Sequence, residues 1–383
     1  MKQTADKFLP RLAMLLSLCA QFSTAHAQGA LTPPGAPAAT MKSLDQIEPR
    51  TPISSAPFTI SSPGSYYLTT NLTGSSGSFG ISINSGNVTL DLNGFTVQGV
   101  HGSTVGIQIP TTYTNLVVRN GTITGWGADG VNSYNSGYPR NQVFEHLTIS
   151  ANGGRGLTTE AGCIVRDCLF IGNVSDGLSS VGGDVGGCIS RNNGNFGFNL
   201  VNSSARQCLA EYNSNAGFSL NASRALDCVS QNNPGSGIIC FGVGDEIRRC
   251  RIIYSGGIGI NLAGGNVANV IEECEIANNS SYGIYSVGTG GSMISKNNFN
   301  LNGFGAIVIG DNNNVIEDNH VVTASGVYGI AISSSGYTNN VVIKNVVVGG
   351  GAAYNYSNIG GANDFGPVSS AATATSPWAN ISH

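Results

Sequence analysis

A chain of 383 residues with 10% charged positions and a net charge of −4 lacks the basic surface that nucleic acid or an anionic membrane requires. No stretch after the N-terminus approaches the ~20 consecutive apolar residues of a membrane span. Sparse charge with 54 glycines suits a turn-dense all-β chain, and regularly placed apolar residues separate it from a disordered one.

In chain order, residues 1–27 read as a signal peptide. Lys2, Lys7 and Arg11 precede the apolar run Leu12 to Leu18, and Ala25-His26-Ala27 offers a small-residue cleavage site. Cutting after Ala27 removes these three cations and Asp6, moves the net charge to −6, and leaves eight cysteines. The mature protein is then expected to be secreted, periplasmic or held at the cell surface. Residues 28–57 form a leader rich in Pro, Ala and Ser. Residues 58–79 hold short strands on either side of Pro63-Gly64, expected to cap the open end of a repeat region.

From residue 80 to about 350 one signature recurs, a glycine followed by apolar, polar and apolar residues. Its copies begin at Gly80, Gly106, Gly130, Gly156, Gly177, Gly197, Gly217, Gly237, Gly259, Gly283, Gly305 and Gly329, in steps of 20 to 26. A fixed step in the twenties marks a solenoid in which each repeat is one coil. Alternation gives each signature a one-sided strand, and the glycine is expected to permit the bend that starts it. Two further strands per coil predict about 12 coils, three parallel sheets and a rod of roughly 58 Å. Cys168, Cys188, Cys208, Cys228, Cys250 and Cys274 share one inward position, which favours stacked buried thiols over a disulfide framework. Asn152, Asn173, Asn193, Asn213, Asn233 and Asn279 share another, four before the glycine, and are expected to pair between coils. Residues 351–383 read as a C-terminal cap and low-complexity tail, with Trp378 either folded over the last coil or free.

The stretch Gly80 to Val97 (GISINSGNVTLDLNGFTV) and the recurring Gly-Ile-x-Ile with Asn-Asn turns resemble secreted right-handed parallel β-helix proteins of the pectin-lyase-like superfamily. The resemblance covers about residues 58 to 350. It implies right-handed winding and a history of polysaccharide binding or cleavage. The family's Asn-Thr-Asp, Gly-His-Gly, Arg-Ile-Lys, Trp-Ile-Asp-His and Arg-x-Pro-x-x-Arg motifs are absent, so no catalytic residue carries over.

Aligning the coils sorts the polar residues. Corner charges alternate in sign (Arg248-Arg249, Glu272-Glu273, Lys296, Glu317-Asp318, Lys344), as expected for ion pairs between coils. The position before each glycine differs, with Asp129, Arg155 and Asp176 in successive coils. Two coil steps put the carboxylates about 9.6 Å apart, near the roughly 6.5–9.5 Å of inverting glycosidases. They are candidate catalytic groups, a carboxylate as acid/base and Arg155 holding an acidic sugar; a plain surface ion pair is the alternative. Trp126, Tyr134 and Tyr138 beside them, and a second column of Tyr282, Phe304 and Tyr328, are candidate sugar-stacking residues. His101, His146 and His320 form no metal-ligand set. The function expected is polysaccharide or cell-surface glycan binding, or a structural role, without catalytic motif or cofactor. The alternative is a polysaccharide lyase or glycoside hydrolase at the first coils, with calcium entering only in the lyase case.

Overall fold

The computed structural model describes residues 49–111, 113–133, 141–265, 268–288, 290–359 and 361–383. The expected signal peptide and leader, with Tyr134 and Tyr138, lie outside the described residues. Arg50–His383 form one unit. Its strands wind as a parallel solenoid. Sheet 1, built from the signature strands, holds fourteen strands from Phe58–Ile60 to Tyr356–Asn358. Its register pairs Ile81 with Ile107, then Val131, Leu157, Leu178, Phe198, Phe218 and Ile238 in successive coils. All of these are fully buried. Inside the rod Phe198 stacks on Phe218, with ring centroids 5.0 Å apart.

The second and third strands of each coil form sheets 2 and 3, and Leu116–Thr124 and Gln142–Ser150 join them by running through the corner unbroken. Asn120 and His146 still take left-handed backbone there, like Asp167, Gln207, Asp227, Arg249, Glu273, Lys296, Asp318 and Lys344 at the same corner of other coils. Those corners carry the ion pairs between coils. Asp227 accepts both Arg249 Nε (2.7 Å) and Nη2 (3.1 Å), while Glu272 takes Arg248 and Lys296. Exposed pairs of this kind contribute about 0.2–1 kcal/mol each.

Strand pairing continues beyond residues 80–350 at both ends. Thr51–Ile53 pairs with Gly64–Leu68 and Phe58–Ile60 with Ile81–Ile83, so the parallel winding already runs through residues 51–68. At the other end Asp364–Phe365 and Asn380–Ser382 continue sheets 2 and 3. Trp378 packs its ring under Lys344 Nζ at 4.8 Å, yet stays half exposed. The signature glycines also serve another purpose than bending. Gly106, Gly130, Gly156 and Gly177 are absent from the positive-φ positions. A Cβ at Gly156 would lie 2.4 Å from the Gly177 carbonyl oxygen of the next coil, so glycine is required there for room.

Two polar columns run beside the apolar ones. Asn152, Asn173, Asn193 and Asn213 each pass an amide hydrogen bond to the next asparagine, ending at Asn233, and Asn279 and Asn302 resume the pattern after Ser255. The cysteine column is free, buried and continuous with Asn297, Asn319, Asn345 and Asn380, since Cys274 N donates to Asn297 Oδ1 at 2.9 Å. Burial pushes the Cys163 thiol, outside that column, up to about 12, so it is held as a neutral apolar filler.

A shorter column at the turn from sheet 1 to sheet 2 carries a buried acid. Asp245 is fully enclosed, accepts Ser223 N at 2.7 Å and Gly242 N at 3.3 Å, and faces the thiol of Cys240. Burial raises its carboxyl above the usual range against the pull of those amides and of Cys240. A carboxyl raised in the folded state binds more protons than in the unfolded one. Its contribution is therefore present at low pH and falls as pH rises through the folded value. Asparagines fill equivalent places at Asn314 and Asn340, accepting the same backbone donor. Asp245→Asn removes the titration. It is expected to gain roughly 1 kcal/mol over the parent at pH 7 and nothing at pH 4, read from urea melts at the two pH values.

Candidate functional site

The position before each signature glycine forms a ridge where sheet 3 turns into sheet 1. Backbone hydrogen bonds from Gly106, Gly130, Gly156, Gly177, Gly197, Gly217, Gly237 and Gly259 reach the carbonyls of Asp129, Arg155, Asp176, Phe196, Ala216, Ser236, Ile258 and Tyr282. The column thus changes from charged to uncharged and then aromatic along the rod.

Its charged end is brought together as expected, and it is locked. Arg155 Nε sits 3.3 Å from Asp176 Oδ2, which also takes Asn199 Nδ2, while Oδ1 takes Asn195 Nδ2 at 2.6 Å and Phe196 N at 3.3 Å. A carboxylate offers about four lone-pair sites, and four donors fill them. Asp176 is 1% exposed. Asp129 is half-buried and binds Arg155 N, Asn132 Nδ2 and Thr158 Oγ1 at 2.8, 2.9 and 3.2 Å. The Asp176 carboxylate therefore braces two turns and presents no oxygen to a substrate. Trp126 corrects the expectation outright. It is 1% exposed, donates its indole N–H to Val97 O at 3.0 Å, and fills the space left beside Gly74, Gly80 and Gly106. Its ring belongs to the core because those three glycines vacate a volume that only a large side chain fills.

The aromatic end is open. Tyr282 stacks on Tyr285 with centroids 5.0 Å apart and meets Phe304 edge-on at 5.8 Å. Tyr328 meets Tyr354 at 5.4 Å. Phe304 is 62% exposed, but it does not stand in the column, because the register pairs Tyr282 with Gly305 and Gly305 with Tyr328. The next member is Tyr354, whose carbonyl accepts Gly329 N. Between Tyr282 and Tyr328 lies a cavity of about 210 Å³ lined also by Val308, Ala331, Ser333 and Ile359. Tyr285 and Tyr354 are missing from the sequence-based set. Tyr285 is legible as the outward residue of the Gly283-Ile284-Tyr285 signature; Tyr354 lies beyond residue 350, past the last expected coil.

Residues 222–365 match the family described as the right handed beta helix region. The chain is a right-handed parallel β-helix. None of the curated protein sequences compared matches it. Solved structures similar to this β-helix include the A-module of the mannuronan C-5 epimerase AlgE6 of Azotobacter vinelandii, at 16% identity, 84% coverage of this chain, 91% of that one and TM-score 0.47. PfbA, a surface adhesin of Streptococcus pneumoniae, is similar at 10% identity, 81% and 82% coverage and TM-score 0.39. Among the described residues no group of three or more His, Cys, Asp or Glu side chains is arranged to hold a metal ion, and no helix is long and apolar enough to cross a membrane.

Proposed function

We propose that this β-helix is a secreted or surface-held polysaccharide-binding protein without catalysis, and that the tyrosine column at its C-terminal coils is the binding site. The observation that carries the reading is the pair Tyr282 and Tyr328 facing one open cavity, flanked by Tyr285 and Tyr354. Aromatic planes joined to a polar hydroxyl suit sugar rings, which offer C–H faces and hydroxyl edges. The rod holds Tyr282, Tyr285 and Tyr328 on paired strands, so little conformational freedom is lost on binding. The charged end supports the non-catalytic half of the reading, since every acceptor site of Asp176 is already taken.

Tyr328→Ala and Tyr282→Ala are each expected to weaken binding of a recognised polysaccharide at least about tenfold, which corresponds to 1.4 kcal/mol. Affinity electrophoresis of parent and variants through polysaccharide gels measures this. Release of reducing ends or unsaturated products by the parent would replace the reading with an enzymatic one.

A further inference from the structure

We infer that the tyrosine cavity selects neutral polysaccharides and excludes uronate or sulfate polymers; this rests on the glycan-binding reading above. The residues lining it are Tyr282, Val308, Tyr328, Ala331, Ser333 and Ile359, none of them cationic. The neighbouring aromatics Tyr285, Phe304 and Tyr354 add no charge either. The ionic residues of these coils lie elsewhere. Lys296 binds Glu272 at the corner between sheets 2 and 3, and Asp318 and Lys344 occupy that corner in the following coils. This corner is the vertex of the coil opposite sheet 1. Asp311, at the end of sheet 1, is buried and holds the Ser286 hydroxyl and Asn314 Nδ2.

A polymer with one carboxylate per sugar brings a row of charges that must keep water or find cations. The cavity supplies none, and closing aromatic rings over such a chain would strip its water without replacement. A neutral hexose chain meets no such cost. Gly305 sharpens the shape. It stands in register between the two tyrosines, where a Cβ would lie 3.1 Å from Val308 Cγ2 and 3.3 Å from Tyr328 Cβ. The gap it leaves spans two coil steps, about 9.6 Å, or the length of about two sugar rings lying along the rod.

The test is affinity electrophoresis of the full chain against β-glucan, mannan and xylan, and against polygalacturonate, alginate and a sulfated galactan, at low and high salt. Retardation by a neutral polymer is expected, unchanged by salt and reduced at least about tenfold in Tyr328→Ala. Ser333→Arg, which places a guanidinium on the exposed rim, is expected to add binding to an acidic polymer that the parent ignores. Preferential, salt-sensitive binding of an acidic polymer by the parent overturns the inference while leaving glycan binding intact. Retardation by no polymer of either class overturns the glycan-binding reading itself. Tyr328→Phe, which keeps the ring, separates lost stacking from misfolding: it is expected to retain binding within about threefold, and an equal loss in Phe and Ala variants counts against the stacking geometry.

Discussion

Asn213→Ala is expected to destabilise the rod by about 4 kcal/mol, a large effect for the loss of one side-chain amide. Asn213 is fully buried. Its Nδ2 donates to Ser190 O at 3.0 Å and to Asn233 Oδ1 at 3.3 Å, while its Oδ1 accepts Asn193 N at 3.2 Å and Asn193 Nδ2 at 2.9 Å. Alanine leaves the buried Asn193 backbone amide without its partner and takes one donor each from Ser190 O and Asn233 Oδ1, and an orphaned buried donor alone costs about 1–3 kcal/mol. The vacated amide volume adds a cavity term. Asn213→Asp has the same shape but sets a second oxygen against Ser190 O and Asn233 Oδ1, so it is expected to be at least as damaging. Hydrogen exchange gives the decisive reading, because a solenoid is held by contacts between adjacent coils. Loss of protection centred on residues 190 to 233, with the terminal coils less affected, is the expected pattern. A variant that melts within about 1 kcal/mol of the parent would show that the column is not a stability element.

Much of the fold was legible because the repeat is strict where it matters. The step of 20 between Cys168, Cys188, Cys208 and Cys228 placed these residues at one inward site, and they are stacked, free and buried there. The asparagine position was equally plain. What the period did not reveal was why glycine recurs. Sequence shows that glycine is preferred, while only the neighbouring coil shows that its backbone angles are ordinary and its missing Cβ is what counts. Register slips were invisible for the same reason. Gly305 looked like a signature glycine and Phe304 like its outward neighbour, but Ala306 holds the glycine place, opposite Gly283.

The candidate site was half legible. Asp129, Arg155 and Asp176 do stack, and their spacing correctly brought the three together. Spacing says nothing about donors, however. Asn195, Asn199 and the Phe196 amide, which saturate Asp176, come from the next coil and carry no motif. Trp126 failed for a related reason. A tryptophan beside charged residues reads as a sugar platform until the glycines at 74, 80 and 106 show that the coils leave it a berth. Of the expected aromatic column, Tyr282 and Tyr328 share one position two coil steps apart, with Gly305 between them and Phe304 outside it.

Gly156→Ala tests the space-making role of the signature glycine, and a loss of about 3 kcal/mol is expected from one methyl group. The added Cβ would lie 2.4 Å from the Gly177 carbonyl oxygen, 2.9 Å from Asn173 Nδ2 and 3.1 Å from Phe170 Cδ1. The first is backbone, which is held by Leu157 N at 3.1 Å, and the second is a member of the asparagine column. Relief therefore requires the two coils to part, which weakens the bonds from Gly156 N to Asp176 O and from Leu157 N to Gly177 O together. Ala306 marks the condition under which a methyl is tolerated. In the next coil the sheet 3 residue paired with Phe299 is the smaller Val321, whereas the coil facing Gly156 brings up Phe170 and Asn173. Combining Gly156→Ala with Phe170→Val removes one of the three obstructions but not the carbonyl. The double variant is expected to recover none of the loss, since the cavity left by Phe170 costs more than the contact it relieves. Urea melts of both variants decide the point: parent-like stability for Gly156→Ala would return the glycine to a role in chain bending.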